Sequence, residues 1–138
     1  ARMVAVLRSV SDTGRDPAIA EVQRSCMGIG IAFDCSIEVE LEEGYALQYN
    51  DPAMIELVDK AVKGAGGKAE YIEKPFSGSE DFSFFGKLTG TPSAFMMIDA
   101  GRGDELVSLH NGKIVFNEEV IKPGVTGLTA IALEYLNQ

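Results

Sequence analysis

Ile37-Glu38-Val39-Glu40-Leu41-Glu42 is the most regularly alternating stretch of this 138-residue chain. On an extended backbone successive side chains point to opposite faces, so Ile37, Val39 and Leu41 share one face and the three glutamates share the other. The pattern predicts a half-buried strand with a solvated acidic face. Upstream of it, Ile19, Val22, Cys26, Ile29 and Phe33 recur at helical spacing, with Asp16 placed to cap the helix and Pro17 suited to its first position. Gly28 and Gly30 weaken its last turns. Residues 2–7, with Met3, Val4, Ala5, Val6 and Leu7, read as an earlier strand closed by a polar turn at 9–14. Strand, helix and strand make half of a small α+β sandwich, whose sheet needs further strands to be stable.

Downstream, residues 44–49 read as an extended connector into a second block. Asn50 or Asp51 caps a helix with Pro52 early in it, and Met54, Ile55, Val58, Ala61, Val62 and Ala65 form its apolar stripe. Gly66-Gly67 stops it. A short strand follows at 68–72, and Ala94, Phe95, Met96, Met97 and Ile98 within 93–98 read as a strand covered on both faces. Between them lie the turn Gly78-Ser79-Glu80-Asp81-Phe82 and a short helix at 82–88. A polar loop at 101–108, a strand-like stretch at 113–116 and a helix at about 123–136, bearing Val125, Leu128, Ile131, Ala132 and Tyr135, close the chain. The order favours a layered α/β domain with loops gathered at one sheet edge, where ligands usually bind.

Composition narrows the function classes. Hydrophobic residues make up 46% and charged residues 24%, a globular balance. No apolar run approaches the roughly 20 residues that span a bilayer, so a membrane role is not expected. With 21 acidic residues against 12 basic ones and a net charge of −9, clustered cations for nucleic-acid phosphates are missing. Two cysteines, Cys26 and Cys35, are too few for a disulfide framework and read as buried free thiols. The chain begins abruptly in a strand-like run without a signal-peptide leader. That start reads as a cut inside a longer protein, although a processed mature protein could begin the same way; a cytoplasmic location is expected.

Three features could carry chemistry. In the Ser79 turn the hydroxyl can cap the following helix, and Glu80 and Asp81 fall in its positively polarised first turn. Capping explains all three residues without any chemistry, yet a turn between Phe76 and Phe82 also suits a site mouth. His110, the single histidine, stands in the turn Leu109-His110-Asn111-Gly112. A lone histidine is usually structural or merely exposed, although an imidazole is also a common metal ligand. Arg8 ends the first strand, where a guanidinium could grip a carboxylate by two parallel hydrogen bonds; a surface arginine is the default. No nucleophilic triad is indicated, because Ser79 lacks a Gly-x-Ser-x-Gly elbow and Cys26 lies along a helix face. Gly64-Ala65-Gly66-Gly67 ends a helix and lacks the Lys and Ser or Thr of a phosphate loop.

In this order the motifs resemble the zinc-dependent aminoacylase and carboxypeptidase superfamily, in particular its hippurate hydrolase and indole-acetyl-amino-acid hydrolase branch. The resemblance rests on Leu7-Arg8-Ser9-Val10, Asn50-Asp51 before a helix, Gly78-Ser79-Glu80-Asp81-Phe82, Leu109-His110-Asn111, and Phe116-Asn117-Glu118-Glu119 before a terminal helix. Asn111 and Asn117 stand where that branch more often has Ser and Asp. The resemblance covers essentially the whole chain, which looks like the last third of such an enzyme. It implies that residues 1–45 close an α+β lid domain that dimerises, and that residues 46–138 form the C-terminal part of a layered α/β, metallopeptidase-like catalytic domain.

The resemblance also implies an activity. Two divalent ions, zinc first and manganese or cobalt as alternatives, lower the pKa of a bridging water and polarise the scissile carbonyl of an N-acyl amino acid or small peptide. By the same resemblance His110 is a metal ligand, Arg8 is a partner for the substrate carboxylate, and Ser79, Glu80 and Asp81 line the site. The remaining ligands and the proton-accepting glutamate would lie upstream, so this chain alone holds no complete catalytic set and is expected to be inactive, with the enzyme a homodimer through its lid. The alternatives are a non-catalytic α/β dimerisation or regulatory module, and a small-molecule binder using the Ser79 helix start as an anion site.

Overall fold

The computed structural model describes residues 1–100 and 109–137. The loop expected at 101–108 lies outside the described residues. Two compact units are present, one of Ala1–Tyr49 with Ile72–Thr91 and the other of Asn50–Tyr71 with Pro92–Gln138.

In the first unit α1 runs Asp12–Ala32. It begins earlier than the expected Asp16 cap, because Ser11 is extended and its side chain accepts from the Gly14 amide at 3.1 Å, with Asp12 in the first turn. The helix therefore takes in half of the expected 9–14 turn and holds Pro17 in its interior. Its C-terminus closes by a Schellman arrangement. Asp34 takes a left-handed φ of 49°, its amide donates to the Ile31 carbonyl, and the Cys35 amide donates to the Gly30 carbonyl at 3.0 Å. The chain thus folds back onto Gly30, which is buried and lies so close to the Cys35 carbonyl that a Cβ there would sit 2.9 Å from it. Gly30 is a packing point, not a weak spot. The half-buried residues Ile19 and Cys26 share its side by helical spacing, while Val22, Ile29 and Phe33 of the expected stripe are exposed.

The second unit is built on α2, Pro52–Gly64, and α4, Ile121–Leu136, which pack together. Asp51 caps α2 by accepting from the Ala53 amide at 2.9 Å and the Met54 amide at 3.3 Å, with Pro52 leading the first turn. Gly66 ends it at a φ of 82°, its amide bonding to Lys63 and that of Gly67 to Val62. Leu57 and Ala61 are the buried apolar residues among those described, with Met54, Ile55, Val58 and Val62 half-buried around them. Leu57 was absent from the expected stripe, and Ala65 of that stripe is exposed. On α4 the packing face is Gly124, Gly127, Ala130 and Ile131, whereas Val125, Leu128 and Tyr135 face solvent. The reason is steric. Gly127 faces Val62, and Gly124 approaches Ile98 so closely that a Cβ would lie 3.0 Å from its Cδ1, so α4 turns its smallest side toward its neighbours. Lys60 and Glu134 pair across the two helices at 2.6 Å.

Among the described residues no strand is formed, which corrects the expectations for 2–7, 37–42, 68–72, 93–98 and 113–116. An alternating sequence supplies one face to bury, but a ladder needs a second backbone in register. Without one, Ile37 and Leu41 remain exposed and only Val39 is half-buried. Residues 93–98 are likewise not covered on both faces, since Met97 and Ile98 are exposed. Single bonds tether this segment instead: the Asp51 amide donates to the Ser93 carbonyl at 2.8 Å, and the Phe95 amide donates to Asn50 Oδ1 at 2.8 Å.

Candidate functional site

Arg8 and the Ser79 turn meet in the first unit. Arg8 Nη1 donates to the Ser77 carbonyl at 2.8 Å and to Ser79 Oγ at 2.6 Å. Ser79 therefore spends its hydroxyl on Arg8 and does not cap a helix. The short helix α3 runs Ser83–Thr89, its cap position is Phe82 with no side-chain cap bond, and no acidic residue lies in its first turn. Glu80 and Asp81 precede it, Glu80 half-buried and Asp81 exposed. The readings of Ser79 as a helix cap and as an anion-binding helix start are both corrected: the helix begins beyond the turn, where the Ser83 and Phe84 amides bond back to the Glu80 and Asp81 carbonyls at 3.1 Å each.

Tyr45, in the segment read only as a connector, joins this cluster. Its ring lies 6.0 Å from that of Phe84, tilted by 46°. The Tyr45 phenol is held above its ordinary range, first by a hydrogen bond to Asp81, then by that carboxylate's charge, by partial desolvation and by the charge of Glu80. The rings of Phe82, at the cap position of α3, and Phe85 within it lie 5.4 Å apart, tilted by 33°. Behind them Ser83 is 4% exposed, and its Oγ has no hydrogen-bond partner among the described residues. No local sequence signal singles out Tyr45.

His110 belongs to the second unit and is exposed. It takes a left-handed φ of 63°, which costs a residue other than glycine about 1–2 kcal/mol. The following turn is tied by Asn111, whose Oδ1 accepts from the Lys113 amide at 3.0 Å and whose carbonyl accepts from the Ile114 amide at 3.0 Å. Asn117 then accepts from the Glu119 amide at 3.1 Å and starts the 3₁₀ turn Glu118–Val120 that leads into α4.

The described donors do not by themselves make a metal centre. Among the described residues no group of three or more His, Cys, Asp or Glu side chains is placed to hold an ion, and a closed zinc site takes four donors, a catalytic one usually three plus water. His110 is a single donor.

The sequence profile of peptidase family M20/M25/M40 matches residues 5–134. The chain belongs to that family. This M20-family chain is 30% identical over 105 residues to an uncharacterized hydrolase of Staphylococcus epidermidis, covering 73% of the chain and 27% of the relative. It is 24% identical over 132 residues to hippurate hydrolase of Campylobacter jejuni, covering 94% of the chain and 33% of that enzyme. It is also 24% identical over 128 residues to N-acetyldiaminopimelate deacetylase of Leuconostoc citreum, covering 92% and 32% respectively. The chain thus spans only about a third or less of the length of these curated relatives. No solved structure matches it. Among the described residues no helix is long and apolar enough to cross a membrane.

Proposed function

We propose that this chain supplies the lid end and the C-terminal catalytic part of a metal-dependent amidohydrolase that cleaves N-acyl amino acids or related small amides. The observation that carries the reading is the Arg8–Ser79 contact beside two carboxylates, in a chain matched almost throughout by an M20-family profile. Relatives named as a hippurate hydrolase and an N-acetyldiaminopimelate deacetylase support an amide as the bond cleaved. The free-standing dimerisation module draws no support from these matches.

In this reading residues 1–45 belong to the lid, through which the enzyme dimerises, and residues 46–138 to the catalytic domain. Arg8 is the partner for the substrate carboxylate, because a guanidinium offers planar, paired donors to that group. Ser79 holds Arg8 in position, and Glu80 and Asp81 set the polarity of the same turn. M20 enzymes are generally metal-dependent; two divalent ions, with zinc first, are the cofactors proposed here. His110 contributes one donor, and the donors that complete the set lie outside those described.

The chain by itself is proposed to be inactive, since no closed donor set forms among its described residues. The test is hydrolysis of a panel of N-acyl amino acids by a polypeptide of family length that contains this sequence, before and after chelation. Turnover that disappears with chelator and returns with a divalent ion supports the reading. Turnover indifferent to chelation, or none on any amide, overturns it.

A further inference from the structure

The back-folded end of α1 places two cysteines on the lining of one open hollow. Cys26 and Gly30 are four residues apart on one helix face, about 6 Å along the axis. Cys35 sits on Gly30, bound through its amide to the Gly30 carbonyl at 3.0 Å, and only a glycine admits its carbonyl so close. Both cysteines are free and line a hollow of about 530 Å³ with Met27, Ile31, Asp34 and Ile37. Cys26 is half-buried and Cys35 is exposed, so the expectation of two buried thiols is corrected. The left-handed Asp34 fixes the return of the chain, while residues 35–37 lie in no ladder that would hold them apart from the helix.

We propose that Cys26 and Cys35 form a thiol–disulfide exchange site that takes a low-molecular-weight disulfide and closes into an intramolecular bond. The exposed Cys35 reacts first. Its thiolate attacks one sulfur of the small disulfide, that S–S bond breaks, and the departing thiolate takes up the proton Cys35 released. Cys26, one helical turn from the Gly30 contact, is the resolving thiol. Its thiolate attacks the Cys35 sulfur of the mixed disulfide and expels the second small thiol, which takes the proton from Cys26. Two cysteine thiols are oxidised to one disulfide, and one small disulfide is reduced to two thiols. Disulfides bridge Cα atoms about 4.4–6.8 Å apart, so closure draws the unladdered segment after Asp34 toward Cys26.

The test is to incubate the purified chain with oxidised glutathione and follow intact mass and alkylatable thiols, in native buffer and in denaturing urea. The expected product is a monomer that has lost both thiols and retains no glutathione, formed several-fold faster in native buffer than in urea. Cys26→Ser should stop at a stable glutathione adduct on Cys35, and Cys35→Ser should react several-fold more slowly. Retained adducts on both cysteines, disulfide-linked dimers as the main product, no reaction, or equal rates in buffer and urea would each overturn the proposal.

Discussion

Arg8 and Ser79, 71 positions apart in the chain, are joined by a 2.6 Å hydrogen bond from the guanidinium to the serine hydroxyl. The same Nη1 reaches the Ser77 carbonyl, so one side chain pins both ends of a short turn. Arg8→Ala should therefore loosen residues 77–81. Both partners are exposed, so the stability cost should be small, about 1 kcal/mol or less. The sharper readout is amide exchange, which should rise in this turn and stay unchanged in α2. Unchanged protection of the turn would show that Arg8 does not hold it. In the family-length enzyme the same variant should raise KM more than it lowers kcat, as expected for lost ground-state binding.

Tyr45 gives the pH prediction. Its phenol is raised by the hydrogen bond to Asp81, so the contribution of this contact to folding is fully present below the ordinary tyrosine pKa of about 10 and is lost as pH rises through the higher folded value. Ultraviolet titration of phenolate should show a late-titrating tyrosine that vanishes in Tyr45→Phe and moves back toward the ordinary value in Asp81→Asn. A titration unchanged by Asp81→Asn would remove the contact.

The ends of α2 are set by local chemistry. Asp51→Ala should cost about 1 kcal/mol by orphaning the Ala53 and Met54 amides. Gly66→Ala, at a φ of 82°, should cost about 1–2 kcal/mol by forcing a Cβ into the left-handed region. Urea unfolding monitored by helical circular dichroism measures both. Losses well under these values would mean that packing against α4, not the caps, sets the helix ends.

For the isolated chain, zinc titration by calorimetry should reveal no tight site. His110 is a lone donor, and the described residues place no group of three around an ion. A submicromolar site in this chain would contradict the assignment of His110 as one contributor among several.

The ends of α2 were the most readable part of the fold in sequence. Asp51, Pro52 and Gly66-Gly67 carry their boundary chemistry in consecutive residues, and α2 begins and ends where they place it. Packing faces were less readable. Hydrophobic periodicity marked Val125 and Leu128 on α4, yet the helix turns Gly124 and Gly127 inward, because close approach depends on what a residue lacks. Strands were misread for a related reason: the alternation from Ile37 to Glu42 describes one partner of a ladder, and the described residues hold no second. At the candidate site, Arg8 was singled out at the end of a strand-like run and the Ser79 turn as a polar turn. Their contact was not readable, since it depends on a return of the chain 71 residues later. Tyr45 was missed because nothing local distinguishes a connector tyrosine that donates to Asp81 from one in solvent.

His110 is proposed as one metal donor of an amide-hydrolysing M20 enzyme. Metal content and N-acyl amino acid turnover, measured together in the family-length polypeptide and its His110→Ala variant, test it most directly. The variant is expected to keep its fold but to lose bound metal and most of its turnover. Full metal stoichiometry with normal turnover in His110→Ala would contradict it.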